Sequence, residues 1–369
     1  MRYFITSILL VISYIYFFVT LIRYEILNEN KNLAPSKLQR KKILLYTKIF
    51  GKTSKWMERS CEELNCELTK DKSLFSTSDA VVFHHADLYS IKDYPKRFFE
   101  SQKFIFYTLE SPYATRAFGP ENYFNWIMSY NYKSDITFTY GSKWRKCKGL
   151  CNRVPYDSSK ILSTKRNRGI VGYISNCYSN SRREKIVEKL RKYIPTTIFG
   201  KCSVDRAKQK NGCKQSDYKC EEEVINSYYF YFAFENAICN NYVTEKYWSR
   251  YSFNSVPIVM KRYIYEDLNI PSSSFIAVDD FKSAKEMGDY LNYLMNNKNE
   301  YLKYFEYRNE SVEVIGSDEY HFMNGFCNIC KKLRENDKDN KVINNILDTL
   351  FKINKCISRK DMHNFANSW

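Results

Sequence analysis

The sequence predicts an α/β protein in which helices connect the strands of parallel sheets. The clearest observation is the stretch 228–260, where an aromatic run (228–234) is followed by a polar loop (235–242), a short helix and an apolar run (256–260). Thr244 is suited to cap that helix, and an unbroken apolar run is typical of a strand buried on both faces. The stretch therefore reads as a βαβ unit.

Two further observations support this class. Residues 169–175 form an apolar strand, followed by a Ser- and Asn-rich loop and by the amphipathic helix 184–193. Residues 43–46, 80–83 and 104–108 are short apolar or aromatic runs, and the segments between them are long enough for crossovers. Strands 196–202 and 275–280 and helices 283–297, 298–309 and 342–354 complete the prediction. We therefore expect a first α/β domain at 43–155, a linker at 156–168, a second domain at 169–340 and a closing helix and tail at 341–369.

Composition limits the possible partners and the compartment. The 369 residues include 58 Lys and Arg against 41 Asp and Glu, which gives a net charge of +17, and 44% are hydrophobic. The basic residues are scattered and no nucleic-acid-binding motif occurs, so we expect no nucleic acid partner. Twelve cysteines without a zinc pattern, together with the sequon at Asn309, favour an oxidising, lumenal environment.

The amino terminus predicts a membrane anchor. Residues 3–22 carry no charge, and twenty such residues are long enough to cross the bilayer as a helix. Residues 1–2 would then be a cytosolic tail and residues 23–42 a polar stem. Flanking charges do not decide the orientation, but the cysteines favour a single-pass type II protein with its body in the lumen.

The loop and helix start at 235–246 predict a ligand site. In open α/β sheets, ligands bind beyond the carboxyl ends of the strands. Lys246 lies in the first turn of its helix, where a cation opposes the helix dipole, so an anion such as a diphosphate would explain it. Glu245 beside it is suited to a ribose diol. The alternative is an ordinary capped helix with solvated charges.

The sequence FAFENAICNNYVTEKYW, followed by VPIV, resembles the donor-binding motif of the α-1,3-fucosyltransferases of glycosyltransferase family ten. Further similarity runs from about Cys66 to Cys330. The resemblance implies the GT-B fold, in which two Rossmann-like domains face a cleft, and inverting transfer of L-fucose from GDP-fucose to a GlcNAc hydroxyl of a glycoprotein glycan in α-1,3 linkage. It also implies a Golgi membrane protein that requires no cofactor.

The same resemblance assigns roles to individual residues. Glu110, in the ESP motif after the third strand, would be the catalytic base, and Arg183 and Lys246 would bind the diphosphate. Glu245 would hold the ribose. A helix cap or surface loop is the alternative for Glu110, and an exposed helix arginine is the alternative for Arg183.

Other residues are expected around this centre. Asn236 and Tyr242 would lie near the nucleotide or fucose, and Glu235 is a weaker candidate. Trp126 and His84 are acceptor-side candidates, with a core tryptophan and a buried histidine as the alternatives. No metal site is predicted, because the D-x-D at Asp337 lies in a charged tail, although a divalent metal could still stimulate activity.

The carboxyl-terminal CxxC resembles that of the family, which implies disulfides Cys61–Cys327 and Cys66–Cys330. A zinc site or a redox CxxC is the alternative. For the whole chain, two other functions remain open. One is an inactive, membrane-anchored glycan-binding protein of the same fold, and the other is a transferase that uses a different nucleotide sugar. The sequence does not distinguish between an N-acetyllactosamine-type acceptor and the core GlcNAc of an N-glycan.

Overall fold

The computed structural model describes residues 39–52, 60–141, 144–146, 154–205, 212–213, 217–310, 312–314, 319–335 and 340–369. Two α/β domains are present, and both have sheets of mostly parallel strands, as the sequence predicts. The predicted transmembrane segment 3–22, the tail before it and most of the stem lie outside these residues. Within the described ranges, no helix is long and apolar enough to cross a membrane.

The first domain is built from strands connected mainly by loops and 3-10 turns. Its strands are β1 (Lys41–Leu45), β2 (Ser60–Cys61), β3 (Cys66–Thr69), β4 (Ala80–His84), β5 (Lys103–Thr108), β6 (Trp126–Ser129) and β7 (Ile136–Thr137), and the short strand β8 (Trp144–Lys146) follows them. The 3-10 turns are Glu62–Leu64, Lys72–Thr77 and His85–Ser90.

The second domain alternates strands and helices. Its elements are α1 (Ser158–Ser163), β9 (Asn167–Tyr173), α2 (Arg183–Leu190), β10 (Thr196–Phe199), α3 (Tyr218–Asn226), β11 (Tyr228–Phe232), α4 (Glu245–Trp248), β12 (Val256–Val259), α5 (Arg262–Glu266), β13 (Ile276–Ala277), α6 (Ala284–Asn296) and α7 (Lys298–Leu302). The 3-10 turns are Ser272–Ser274, Val278–Asp280 and Lys303–Asn309. The carboxyl-terminal part adds β14 (Val312–Val314), which pairs with β8, and the helices α8 (Glu319–Glu335), α9 (Ile346–Asn354) and α10 (Arg359–Ser368).

The first sheet has the order β2-β3-β1-β4-β5-β6-β7 among the described residues. Its central strands are buried on both faces, and alternate residues belong to different cores. Ile43 and Leu45 pack on one face while Leu44 packs on the other. This two-sided burial is why these strands are continuous apolar runs.

The second sheet has the order β10-β9-β11-β12-β13, with all pairs parallel. From β9 the chain moves outward to β10 and then returns to place β11 on the other side of β9. The direction of winding therefore reverses between β9 and β11. In doubly wound sheets this switch point opens a crevice beyond the carboxyl ends of the two strands.

The carboxyl-terminal helices correct the predicted domain boundary. The sequence predicts that residues 319–335 belong to the second domain, but α8 packs on the first sheet through Phe326, Ile329 and Leu333. Helix α9 covers the opposite face of that sheet. Helix α10 then returns to the second domain, where Met362 and Ala366 join the core.

Disulfides fix this path. Cys61–Cys327 and Cys66–Cys330, the pairs implied by the family resemblance, tie α8 to the edge of the first sheet, with Cα atoms 5.8 and 6.2 Å apart. Three further pairs are Cys177–Cys202, Cys213–Cys220 and Cys239–Cys356. The zinc and redox alternatives for the CxxC are therefore wrong in this structure.

Several predicted elements are shorter or differently divided. The predicted strand 275–280 is regular only at β13, because the Asp280 carboxylate binds the amide of Ala277 and the guanidinium of Arg262, and residues 278–280 turn into a 3-10 helix. The predicted linker 156–168 contains α1, which Asp157 caps by accepting a hydrogen bond from the amide of Lys160.

Candidate active site

Two loops form the floor of the crevice at the switch point of the second sheet. One follows β9 and the other follows β11, and they are joined by hydrogen bonds to three successive carbonyls. Arg183 Nη1 donates to Phe234 O (2.7 Å), Ser181 Oγ to Glu235 O (2.6 Å), and Ser181 N to the carbonyl of Asn236 (3.0 Å). The loop after β9 therefore holds the loop after β11 in place.

Arg183 begins α2 and its side chain is almost completely buried. Its Nη1 and Nη2 donate to the carbonyls of Phe234 and Asn176, while its Nε has no hydrogen-bond partner among the described residues. Burial lowers the pKa of Arg183, and Glu235 opposes this effect, so the guanidinium remains charged. The exposed-arginine alternative is wrong, since Arg183 points into the protein.

Lys246 lies between two carboxylates. Its Nζ is 3.1 Å from Glu235 Oε2, 3.1 Å from Glu245 Oε1 and 2.9 Å from Thr244 Oγ1. Burial acts to lower the pKa of Lys246, but the attraction of Glu235 and Glu245 outweighs it and raises that pKa. In this structure Lys246 is therefore paired with two carboxylates of the protein itself.

Glu235 is a structural anchor for this helix start. Its buried carboxylate accepts hydrogen bonds from Thr244 N (2.8 Å) and Thr244 Oγ1 (2.9 Å). Burial raises the pKa of Glu235, and Lys246 partly opposes the rise. The Glu245 side chain, in contrast, is 55% exposed and faces the solvent. Because the amides of Thr244 and Lys246 are already bonded, α4 adds little to anion binding.

Glu110 reaches this loop from the first domain. It follows β5, and its Oε2 accepts a hydrogen bond of 3.0 Å from the hydroxyl of Tyr242. Burial, together with Tyr140 and Glu110, raises the pKa of Tyr242 well above its ordinary value, so its hydroxyl stays protonated and donates. Behind Glu110, the carbonyl of Ser111 accepts from the amides of Ala114 and Thr115 and closes a turn.

A cavity of about 350 Å³ lies between the two domains, against Ser111, the residue that follows Glu110. It is lined by Ser111, Tyr113, Ala114, Asn176, Tyr178, Asn180, Asn236 and Arg359. Ser111 Oγ, Asn180 Oδ1 and Asn236 Oδ1 are buried without a hydrogen-bond partner among the described residues. Buried polar atoms are nearly always paired in native proteins, so several unpaired atoms around one cavity indicate a ligand site.

The acceptor-side predictions for Trp126 and His84 need correction. The Trp126 ring is fully buried in the core of the first domain, so it cannot stack on a sugar. His84 is also buried, and its Nδ1 lies 2.6 Å from Asp87 Oδ2. The neighbouring His85 accepts a hydrogen bond from the amide of Arg116, and burial lowers its pKa to about 3.

Two other predicted features concern metals and glycosylation. Within the described ranges, no group of three or more His, Cys, Asp or Glu side chains is placed to hold a metal ion. Asn309, the sequon asparagine, is exposed at the end of a 3-10 turn, where a glycan would have room.

Two family models match the chain and cover both domains. One, described as fucosyltransferase, N-terminal, matches residues 38–141, and the other, described as glycosyltransferase family 10 (fucosyltransferase) C-term, matches residues 162–349. The chain belongs to glycosyltransferase family 10, the fucosyltransferases. The second model includes Arg183, Glu245 and Lys246, and the first includes Glu110.

Individual members of the family are similar over most of the chain. The α-(1,3)-fucosyltransferase fut-1 of Caenorhabditis elegans is 34% identical over 74% of this chain and 61% of that protein. The α-(1,3)-fucosyltransferase fut-6 of the same organism is 30% identical over 84% of this chain and 80% of its own length. The human 4-galactosyl-N-acetylglucosaminide 3-α-L-fucosyltransferase FUT6 is 29% identical over 80% of the chain and 79% of its own length.

A solved structure of an α1,3-fucosyltransferase with GDP shares the fold. It covers 84% of this chain and 94% of its own, with a TM-score of 0.50 and 19% sequence identity. The arrangement of two α/β domains, each with a mostly parallel sheet, on either side of a cleft is therefore the architecture of the family.

Proposed function

We propose that this fucosyltransferase transfers L-fucose from GDP-fucose to a GlcNAc hydroxyl of a glycoprotein glycan, in α-1,3 linkage and with inversion. The relatives named above support the donor sugar and the linkage. The observation that carries the proposal is the contact between Glu110 and Tyr242, because it brings a carboxylate of the first domain to the loop that follows β11.

Glu110 is suited to act as the general base. An acceptor hydroxyl is a weak nucleophile, so a base must take its proton as the new bond to fucose C1 forms. The bond from Tyr242 orients the carboxylate through Oε2. Among the described residues, no donor binds Oε1, so this second oxygen is available to the acceptor hydroxyl.

Arg183 and Lys246 are suited to stabilise the leaving diphosphate. When the bond between fucose C1 and the diphosphate breaks, its electron pair stays on the phosphate oxygen and negative charge grows there. Arg183 is buried and Lys246 is partly buried, each at the start of a helix, and cations held in place in this way stabilise such charge without reorganising at the moment of reaction. Attack from the opposite face in one step turns a β-linked donor into an α-linked product.

Glu245, Asn236 and Glu235 complete the donor side. The carboxylate of Glu245 pairs with Lys246 through Oε1, but it is 55% exposed and is suited to accept hydrogen bonds from a ribose diol. The unpaired Oδ1 of Asn236 is suited to a sugar hydroxyl. Glu235 would act through Lys246, by holding its ammonium in place. For the whole protein we propose a single-pass type II anchor in the Golgi membrane, with the body in the lumen, and no required cofactor.

The test is Glu110→Gln, which keeps the shape of the side chain and the acceptor for Tyr242. Turnover should fall at least about a hundredfold, since general base catalysis contributes roughly 10² to 10⁴. The affinity for GDP, measured by calorimetry, should stay the same. Glu100→Gln, an exposed glutamate of the same domain, is the matched control. Turnover of Glu110→Gln close to that of the control would remove Glu110 from this role.

The two alternatives for the whole chain are tested separately. Release of GDP from GDP-fucose in the presence of glycan acceptors distinguishes an enzyme from an inactive glycan-binding protein. A thermal-shift comparison of GDP, UDP and CMP distinguishes the donors. A panel of N-acetyllactosamine-type and N-glycan core acceptors, read by mass spectrometry, then identifies the accepting GlcNAc.

A further inference from the structure

The hydroxyl of Tyr130 is a buried polar group that the chemistry described above does not use. Tyr130 follows β6, and only 1% of its surface is exposed. Its hydroxyl has no hydrogen-bond partner among the described residues. An unpaired buried hydroxyl lowers stability, and phenylalanine would fill the same space without that penalty. Packing alone therefore does not account for a tyrosine at this position.

Tyr130 lies where the two domains meet, near the candidate base. Its ring packs against the ring of Tyr242, with centroids 4.8 Å apart. Both rings belong to a small cluster with Cys239 of the loop after β11, and Leu109, the residue before Glu110, packs against this cluster. Tyr130 therefore belongs to the packing that joins the segment that carries Glu110 to the loop that carries Tyr242.

The chain around Tyr130 is fixed at this interface. The next residue, Asn131, is buried, and its Nδ2 donates to the carbonyl of Asn240 at 3.1 Å. The loop that carries Asn240 is also held by the disulfide Cys239–Cys356. The segment that carries Tyr130 is therefore tied to the loop after β11.

Three tyrosine hydroxyls lie around Glu110, and each comes from a different element. Tyr242 belongs to the loop after β11, Tyr130 follows β6, and Tyr140 follows β7. Burial raises the pKa of all three hydroxyls well above the ordinary value, and the charges of Glu110 and Glu235 raise it further. These hydroxyls therefore remain protonated, and each can direct its hydrogen at a carboxylate.

Glu110 is the carboxylate that is suited to the Tyr130 hydroxyl. Glu235 already accepts from both the amide and the hydroxyl of Thr244. Among the described residues, the Glu110 carboxylate accepts from Tyr242 alone. A hydroxyl hydrogen rotates about its C–O bond, so the hydrogen of Tyr130 can point at this negative charge while the ring stays in place.

The buried position of the Tyr130 hydroxyl limits how it can affect the reaction. Because no surface of this oxygen is open to a substrate, it can act only through a neighbouring group. A general base works in its ionised form, and a hydrogen bond or dipole directed at a carboxylate favours that form. Glu110 is close enough for this effect, since its charge already acts on the Tyr130 hydroxyl.

We propose that Tyr130 is a positioning residue that acts through Glu110: its hydroxyl hydrogen points at the carboxylate and stabilises the ionised form that takes the proton of the acceptor. Tyr130 keeps its own proton throughout, and the proton of the acceptor ends on Glu110. This inference rests on the proposed function, because it assumes that Glu110 is the base.

The test is the pH dependence of kcat/KM for a GlcNAc-containing oligosaccharide at saturating GDP-fucose. On the acidic side, this profile reports protonation of the essential base. Tyr130→Phe should move the acidic limb to higher pH by about 0.5 unit, the lower end for one hydrogen bond, which is about a threefold loss at a pH on that limb. Above the limb, kcat/KM of Tyr130→Phe should match that of wild type.

Two further variants assign this displacement to the contact with Glu110. Tyr231→Phe is the matched control, because Tyr231 is also 1% exposed and its hydroxyl is also unpaired among the described residues, but it lies in the core of the second domain. Its profile should coincide with that of wild type. Glu110→Gln should lack the acidic limb, and adding Tyr130→Phe to it should cause no further change, since no carboxylate is left to stabilise.

Three results would overturn the inference. Profiles of Tyr130→Phe and Tyr231→Phe that coincide would show that the Tyr130 hydroxyl does not act on Glu110, while the proposed function stands. Weaker GDP binding by Tyr130→Phe in calorimetry would assign this hydroxyl to the donor instead. An acidic limb that persists in Glu110→Gln would show that another group is the base, and would overturn the proposed role of Glu110 together with the inference.

Discussion

Asn131 joins the two domains through one buried side chain, so replacing it should have a large and specific effect. It follows β6 in the first domain and is 1% exposed. Its Nδ2 lies 3.1 Å from Asn240 O, 3.1 Å from Asn354 Oδ1 and 3.3 Å from Ile353 O. The first of these carbonyls belongs to the loop after β11, and the other two groups belong to α9.

The expected cost of Asn131→Ala follows from counting donors. The amide has two hydrogens, so at least two of the three acceptors lose a donor. An unsatisfied buried acceptor costs about 1–1.5 kcal/mol, so the free energy of unfolding should fall by about 2–3 kcal/mol. Asn131→Asp should lose more, because it places a carboxylate among three oxygen atoms.

Urea denaturation followed by tryptophan fluorescence measures this loss. Asn292→Ala is the control, since its amide also donates to two carbonyls, those of Tyr193 and Gly288, but in a partly exposed position. It should cost less than about 1 kcal/mol. A loss for Asn131→Ala no greater than that of the control would refute the reasoning that this side chain holds the domains together.

Two further predictions concern pH and the donor. Burial lowers the pKa of His85 to about 3, against about 6.5 in the unfolded chain, so its contribution to stability is complete above pH 6.5 and is lost as the pH falls towards 3. At pH 5 the loss should be about 2 kcal/mol in thermal or urea unfolding. His85→Asn should make stability less dependent on pH, because its side-chain oxygen can still accept the hydrogen bond from the amide of Arg116. Substitution of the exposed His363 should leave the pH dependence of stability unchanged. Equal pH dependence in the two variants would contradict the prediction. For the donor, Arg183→Lys keeps a positive charge but loses the two-pronged guanidinium, and calorimetry should show GDP binding at least about tenfold weaker. Lys185→Ala, on an exposed part of the same helix, is the control and should bind GDP like wild type. Unchanged GDP affinity in Arg183→Lys would mean that Arg183 does not bind the diphosphate.

The sequence is sufficient to predict the elements that depend on neighbouring residues along the chain. Buried parallel strands are continuous apolar runs, so β1, β4, β5 and β11 were predicted with errors of one or two residues at their ends. The sequence also predicts that Arg183 and Lys246 lie where helices begin after two strands, and both residues lie at helix starts in the structure. The sheet order then brings these two helix starts together at the switch point.

What the sequence did not predict depends on contacts between distant segments. The bond between Glu110 and Tyr242 crosses the domain interface and leaves no periodic signal. Trp126 was an acceptor candidate because an aromatic residue looks the same in a core and in a sugar site, and only its burial distinguishes the two. The amphipathic pattern of α8 shows that one face is buried but not which sheet it covers, so its packing on the first domain was missed.

The path of the backbone after β14 makes each domain depend on segments that are distant along the chain. The chain passes between the domains before α1, again before α8 and a third time before α10, so neither domain is one uninterrupted length of polypeptide. A fragment that stops at residue 310 would lack the helices that cover both faces of the first sheet, and would leave apolar side chains of that sheet uncovered. The disulfide Cys239–Cys356 ties the last of these crossings to the loop after β11, so the two domains share covalent links as well as packing.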